Sequence, residues 1–233
     1  MALILNIETS TQVCSVCISK DGNVLALKES HDQKSHARLL TTFIDQVLKE
    51  SNYSFDDLNA VAVSKGPGSY TGLRIGVSTA KGICYAKDLP LIAVNTLESM
   101  ANGVISKSEY SDDENAILVP MIDARRMEVY SAFFNLKGEF LREVKAEIID
   151  EDSYSDILKK QRMIFFGDGS SKITEIIKHK NAVFIENFHP SSRFMVSISD
   201  QYFKTNTFED VAYFEPFYLK DFVATIPKKN IFK

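Results

Sequence analysis

The motif at residues 64–76, SKGPGSYTGLRIG, is the strongest local signal for chemistry in this sequence. Its glycines allow a sharp backbone turn and leave unpaired amide groups at the start of a helix, where an anion can bind. The motif differs from a Walker loop, because Gly68 and Gly72 are too close together and no lysine follows the second glycine. The sequence therefore favours another role for this loop over phosphate binding.

The other reactive side chains lack suitable partners in the sequence. Cys14 and Cys17 form a C-x-x-C, but they lie in a strand-like run, where side chains three apart point to opposite faces. Buried thiols are thus favoured over a redox pair or a metal clip. A hydrolase triad is not supported, because no histidine is close in sequence to the candidate nucleophiles Ser10, Ser69 and Ser170.

Composition limits the classes of protein that fit this chain of 233 residues. Its net charge is −4 and its pI is near 5.6, so we expect any RNA contact to depend on a partner. Three cysteines, an odd count, fit reduced thiols in the cytoplasm. No signal-peptide pattern and no run of roughly 18 apolar residues occurs, so we expect a cytoplasmic protein without a membrane span.

The elements that would position the glycine motif follow from periodicity. Three strands at about 3–7, 13–19 and 24–29 precede an amphipathic helix at about 37–50. A short strand at 60–63 leads into the motif, and a helix follows at about 72–86. After a strand at 90–94, Asn95 or Thr96 can cap a helix that ends near Val104. The polar stretch 107–115 is the expected linker.

The second half of the chain repeats this order. Strands are predicted at 117–123, 129–134, 140–149 and 164–166, and a helix at about 172–178 follows the glycines of Gly167-Asp168-Gly169. Glu8 and Asp123 end the first strand of each copy. We therefore expect an α/β protein of two related lobes, residues 1–106 and a less regular 107–233, with a C-terminal tail that folds back.

Duplicated lobes with an acid at the end of the first strand resemble the superfamily of actin, hexokinase and heat-shock ATPases. That resemblance implies ribonuclease H-like lobes with nucleotide between them and with carboxylates that hold magnesium-bound water near the phosphates. Thr9 and Ser10, rather than a glycine hairpin, follow Glu8, so active ATP hydrolysis is not favoured. The implied site is a vestigial nucleotide site with weak binding, formed by Glu8, Thr9, Ser10, Asp123, Gly167 and Gly169.

Small residues form a stripe on the helix after the glycine motif. Gly72, Gly76 and Ala80 are four apart, so they share one helical face, with Leu73 and Val77 beside them. A smooth face of this kind allows another helix to approach closely. The sequence leaves open whether that helix belongs to the same lobe or to another subunit.

Several motifs together resemble the TsaB (YeaZ) family of tRNA threonylcarbamoyladenosine biosynthesis proteins. The similarity is close over residues 1–135 and is carried by ILNIETST at 4–11, SHARLL at 35–40, GPGSYTGLRIG at 66–76, NTLE at 95–98, DARRMEVY at 123–130 and GDG at 167–169. Residues 216–220, PFYLK, resemble the usual tail of the family. This resemblance implies a subunit that helps to install threonylcarbamoyl on adenosine beside the anticodon.

The resemblance also implies that the chain is not itself an enzyme. Its catalytic paralogue, TsaD, carries two histidines four apart, which can ligate one metal ion on a helical face. Those positions fall on Thr96 and Met100 here, and neither side chain suits a hard catalytic metal. We therefore expect no metal site and no tightly bound cofactor. An ATPase or kinase of the actin-like superfamily and a metalloprotease are the alternatives.

The expected partners are TsaD and the ATPase TsaE, with a homodimer when the chain is alone. The resemblance implies that the first helix and the helix after the glycine motif dock on the matching helices of TsaD. The expected interface comprises Leu39, Leu40, Phe43, Ser69, Tyr70, Gly72, Leu73, Arg74, Gly76, Val77 and Ala80.

Overall fold

Two five-stranded sheets with the same strand order make up the framework of the chain. The computed structural model describes residues 2–32, 36–110, 113–125 and 127–220. The first sheet has the order β3-β2-β1-β4-β5 and consists of β1 (Leu3–Glu8), β2 (Cys14–Lys20), β3 (Asn23–Ser30), β4 (Ala60–Gly66) and β5 (Leu91–Asn95). The second has the order β8-β7-β6-β9-β10 and consists of β6 (Ile117–Asp123), β7 (Glu128–Phe134), β8 (Phe140–Ile148), β9 (Met163–Phe166) and β10 (Ala182–Ile185).

Strand directions also correspond between the two sheets. In each, the first three strands form an antiparallel meander, and the last two strands run parallel to the first. The identical order and directions confirm the predicted repeat and the ribonuclease H-like fold class of both lobes.

Within the described residues, five helices cover these sheets. They are α1 (His36–Ser51), α2 (Tyr70–Lys87), α3 (Thr96–Ile105), α4 (Ser155–Leu158) and α5 (Val196–Lys204). Ser69 caps α2 by accepting a hydrogen bond from the Gly72 amide, and Asn95 caps α3 by accepting bonds from the Leu97 and Glu98 amides. Within the described parts of the chain, no helix is long and apolar enough to cross a membrane.

One helix from each half of the chain packs on the sheet of the other half. Apolar residues of α1 and α2 pack on one face of the first sheet, and Met195 and Ile198 at the start of α5 pack on its other face. Helix α3, although it follows β5, places Leu97 and Met100 in the core of the second sheet. A division at residue 106 therefore separates the two sheets. Each sheet is nevertheless covered in part by a helix from the other half of the chain.

The structure corrects the sequence-based elements of the second lobe. The segment predicted as a helix at 172–178 is a 3₁₀ helix at Ser170–Lys172 followed by a single turn, in which the Ile177 amide donates to the Ile173 carbonyl. Strand β10 and helices α4 and α5 were not predicted. Short elements such as these carry too few periodic residues to stand out in a sequence. Ser35, Ser111, Asp112, Arg126 and the end of the chain from 221 lie outside the described residues.

The glycine stripe of α2 packs inside its own lobe, which corrects the interface expected there. A Cβ atom at Gly76 would lie 2.2 Å from the Thr9 Oγ1 atom, and one at Gly72 would lie 2.1 Å from the Thr9 carbonyl oxygen. The side chains that accompany the stripe are also buried, as is one member of the interface set on α1; these are Leu73, Val77, Ala80 and Leu40. These six residues support the fold and are not available to a partner.

A second row of small residues on α2 faces solvent. Ser78, Gly82 and Ala86 are exposed and four apart, and a Cβ atom built at Gly82 meets nothing within 4 Å. Of the remaining expected interface residues, Ser69 and Arg74 are exposed, and Leu39, Phe43 and Tyr70 are half-buried. The outward face of α2 thus lies about half a helical turn away from the stripe that the sequence suggested.

The two glycines of α2 make a matched pair for a stability test. We expect Gly76→Ala to lower the free energy of unfolding by about 1–3 kcal/mol, because the added methyl overlaps Thr9. Gly82→Ala places the same methyl in open space and should raise that free energy by up to ~1 kcal/mol through helix propensity. Urea unfolding of both variants measures the difference, and equal effects would contradict the packing of the stripe against Thr9.

Candidate functional site

The first half of the candidate site is a closed turn after β1. Glu8 is fully buried, and its Oε1 atom accepts hydrogen bonds from the Ser10 amide (2.6 Å) and from the Ser64 hydroxyl (2.9 Å). The Oε2 atom has no hydrogen-bond partner among the described residues. Burial raises the pKa of Glu8, and the bonds from Ser10 and Ser64 only partly offset that effect. This carboxyl group is therefore sealed from solvent.

The glycine loop before α2 is what closes this turn. The Ser69 amide donates to the Ser10 carbonyl (2.6 Å), and the Thr9 hydroxyl donates to the Gly72 carbonyl (2.9 Å). At Gly68 a Cβ atom would lie only 2.3 Å from the Ser10 carbonyl oxygen. The Gly72 amide bonds to the Ser69 hydroxyl at 3.3 Å. The loop amides at Ser69 and Gly72 thus bind this chain's own oxygens, which is consistent with a packing role for the motif.

The second half of the site, at the end of β6, is open and paired. Asp123 is exposed, and its Oδ1 atom accepts hydrogen bonds from the Arg125 amide (2.6 Å) and from the Lys172 ammonium. Asp168, between the two glycines that follow β9, accepts a bond from the Asp123 amide (3.0 Å). Burial raises the pKa of Asp168, and the Asp123 charge adds to this effect.

Two glycines allow this close approach in the second lobe. Gly167 has a φ of +101°, and a Cβ atom there would lie 2.2 Å from the Met121 carbonyl oxygen. Gly169 donates its amide to the same carbonyl at 3.2 Å. The expected site residues therefore fall into two sets, each held by its own lobe. Glu8, Thr9 and Ser10 lie under the glycine loop, whereas Asp123, Gly167 and Gly169 surround Asp168.

The positions that correspond to the metal-binding histidines of TsaD lie on α3. Thr96 and Met100 are both fully buried, and Met100 belongs to the apolar core between α3 and the second sheet. Its methyl group would be 2.5 Å from a Cβ atom at Gly167. Among the described residues, no three His, Cys, Asp or Glu side chains come together as a metal-binding group. Both positions serve packing here.

Residues 209–220, which we call the C-terminal strap, cross the first lobe beside α2. The Glu209 amide donates to the Leu91 carbonyl (2.9 Å), so the strap begins on the outer edge of β5. Farther along, the Phe217 amide donates to the Lys65 carbonyl (2.7 Å) at the end of β4. The Lys81 ammonium binds the carbonyls of Ala212 (3.1 Å) and Phe214 (2.9 Å). Residues 209–220 therefore run back along the first lobe.

The end of the strap contacts the start of α2 and then the second lobe. The rings of Tyr218 and Tyr70 are 4.8 Å apart, and the Arg74 guanidinium lies 4.7 Å from the centre of the Tyr70 ring. Beyond them, Lys220 forms an ion pair with Glu128 at the start of β7. Sequence reasoning assigned Tyr70 and Arg74 to an interface but did not connect them with the tail. The two aromatic pairs of the tail, Tyr213-Phe214 and Phe217-Tyr218, were the available signal.

Comparison with known proteins covers most of the chain. Residues 24–228 match the family described as "TsaD: tRNA N6-adenosine threonylcarbamoyltransferase". The TsaB protein of Escherichia coli K12 is 32% identical over 230 residues, covering 95% of this chain and 96% of that protein. The TsaB protein of Bacillus subtilis 168 is 29% identical over 178 residues, covering 75% of each chain.

A catalytic relative and a solved structure complete the comparison. A tRNA N6-adenosine threonylcarbamoyltransferase of Bacillus thuringiensis is 34% identical over 126 residues, covering 46% of this chain and 37% of that protein. YeaZ from Pseudomonas aeruginosa has the same fold, with a TM-score of 0.77 and 22% identity, covering 94% of this chain and 100% of that one. The chain therefore belongs to the TsaB (YeaZ) family of tRNA threonylcarbamoyladenosine biosynthesis proteins, within the wider TsaD family.

Proposed function

We propose that this chain is a non-catalytic subunit in the synthesis of N6-threonylcarbamoyladenosine in tRNA, where it binds and organises a TsaD-type catalytic paralogue. The observation that carries the proposal is the burial of Thr96 and Met100 at the positions where the paralogue holds a metal. The buried side chains of Thr96 and Met100 stand in place of the two histidines, so the chemistry of those ligands is lost while the fold is kept.

The surface proposed for the paralogue is the outward face of α1 and α2, which we call the docking face. Its floor is the exposed row of Ser78 and Gly82, and Leu39 and Phe43 of α1 lie half-buried beside it. Arg74 adds an exposed cation near the start of α2. A helix pair that exposes partly apolar side chains to solvent is suited to pack against another helix pair.

The same docking face would carry a homodimer when the paralogue is missing, because its partly exposed apolar side chains would otherwise face water. The ATPase TsaE joins the assembly in this proposal, and tRNA is reached only through the complex. The net charge of −4 supports that limit, since binding of phosphates by one protein alone usually needs a basic surface.

An ATPase with nucleotide between the lobes is the alternative function. Asp123 is exposed, and Gly167 and Gly169 flank the Asp168 that binds its amide. One of the two carboxylates expected from the superfamily is therefore accessible. Its counterpart, Glu8, lies under the glycine loop and holds its own chain's Ser10 and Ser64. A carboxyl group with a raised pKa and no solvent contact is poorly suited to orient a magnesium-bound water.

Reconstitution tests the proposed function directly. We expect modified tRNA when this chain, its TsaD-type paralogue and the other pathway proteins are combined with tRNA. Omission of this chain should abolish the product or reduce it strongly, and the chain alone should make none. Metal analysis of the purified chain should find no stoichiometric ion. Turnover of any substrate by the isolated chain would contradict the proposal.

A bulky charge on the floor of the docking face should separate the partners. We expect Gly82→Arg to reduce co-purification with the paralogue at least tenfold, because an arginine side chain prevents close approach of a helix. The matched control is Gln201→Arg, which adds the same side chain to an exposed position of α5, on the opposite side of the first sheet. Equal yields from both variants would mean that the paralogue binds elsewhere.

The buried Glu8 carboxyl gives a pH-dependent prediction that separates the two functions. Because burial raises its pKa in the folded chain, the stabilising effect of its proton is full below about pH 4.5 and is lost as the pH rises through the folded-state pKa. Gln cannot ionise, so the free energy of unfolding of Glu8→Gln relative to wild type should increase from pH 5 to pH 8. Urea unfolding across this range measures the trend.

Activity of the same variant completes the comparison. If the chain is a partner subunit, Glu8→Gln should keep near-normal yield of modified tRNA in the reconstituted system. An ATPase that uses Glu8 would lose its turnover on this substitution, and that result would favour the alternative function.

A further inference from the structure

The C-terminal strap forms the second wall of a groove whose floor is α2. Successive residues of a helix are rotated by about 100°, so Lys81 and Arg74 lie on one side of the Ser78–Gly82 row, and Ile75 and Ile83 lie on the other. Ile75 and Ile83 pack at the margin of the core together with Leu39 and Phe43 of α1. Lys81 and Arg74 meet the strap at Ala212, Phe214 and Tyr218. The exposed floor of α2 therefore lies between α1 and the strap.

Two tyrosines project from the strap side of this groove. Tyr213 is 85% exposed and lies between the two residues whose carbonyls Lys81 binds. Tyr85 is 87% exposed and lies one turn beyond Lys81 on α2. Both are carried by a backbone that is fixed to the first lobe, by the helix itself or by the Lys81 bonds. Exposed tyrosines on a rigid backbone are typical anchors of protein interfaces, because little side-chain entropy is lost on binding.

We propose that the strap is part of the binding surface for the TsaD-type paralogue, with Tyr213 and Tyr85 as its aromatic anchors. This inference rests on the proposed function, and it extends the docking face from two helices to three elements. The strap is continuous with the docking face, since it contacts Lys81 and Arg74, which flank the Ser78–Gly82 row along one side. A partner that lies on Gly82 is therefore placed next to the strap, which binds the neighbouring Lys81.

The surface area of Tyr213 and Tyr85 supports a contribution of these two side chains to binding. An aromatic side chain buries about 150–250 Å², so two tyrosines supply more than a third of the ~800 Å² that one partner contributes to an interface of standard size. Removal of one anchor of this kind should be visible in the affinity without loss of the fold, because Tyr213 and Tyr85 contribute little to the core.

The test measures the affinity of the purified full-length chain for its purified TsaD-type paralogue by calorimetry. We expect Tyr213→Ser and Tyr85→Ser each to raise the Kd about tenfold, with unchanged thermal unfolding. Leu141→Ser is the matched control, because Leu141 is a 54% exposed apolar residue on the far edge of the second sheet. That variant should bind with the wild-type Kd.

Each outcome decides between the strap and the docking face. If Gly82→Arg weakens binding but both tyrosine variants keep the wild-type Kd, the strap is not part of the surface and the proposed function stands. If neither Gly82→Arg nor the tyrosine variants change the Kd, the docking face and the inference both fail. If the tyrosine variants weaken only self-association of this chain in sedimentation experiments, the anchors serve a second copy and their assignment to the paralogue is overturned.

Discussion

The packing of the turn after β1 against the glycines of α2 is the constraint on which the rest of the structure depends. Thr9 fills the space above Gly72 and Gly76, where any side chain would overlap it by more than an ångström. This contact fixes the distance and rotation of α2 relative to the first sheet. It also closes the turn around Glu8, because the same loop supplies the amide that holds the Ser10 carbonyl. The close packing of Thr9 on α2 thus seals the Glu8 carboxyl group and directs the opposite face of α2 to solvent.

The two lobes show how one fold can carry two different environments at equivalent positions. Glu8 and Asp123 each end the first strand of a meander with the same strand order. Glu8 is buried under a glycine loop, and desolvation raises its pKa, whereas Asp123 is exposed and paired with Lys172. The loop that follows the fourth strand of each sheet contributes to this difference, together with the Ser64 hydroxyl of β4, which binds Glu8.

The exchange of helical layers joins the lobes into one packing unit. Helix α3 leaves the first sheet to cover the second, and the segment from Ser192 to α5 returns to cover the first. At the crossing, a Cβ atom on Gly103 would lie 2.7 Å from the Phe194 ring, and the side-chain amide of Asn102 donates to the Phe194 carbonyl at 2.6 Å. The strap adds a further connection through Lys220 and Glu128. The exposed face of α2 therefore belongs to a unit in which contacts between the two lobes hold the elements together.

The sequence by itself determined the repeat, the strands of both meanders, α1, α2 and the family, because long periodic runs and the glycine motif are local patterns. It also identified Thr96 and Met100 as substitutes for metal ligands. Only the tertiary structure decided which small residues of α2 face inward, since Gly72–Gly76 and Ser78–Gly82 have equivalent spacing and differ only in what lies opposite. The closed state of Glu8, the exchange of α3 and α5 between sheets and the position of the strap beside Lys81 depend in the same way on contacts between segments far apart in the chain, which no local pattern records.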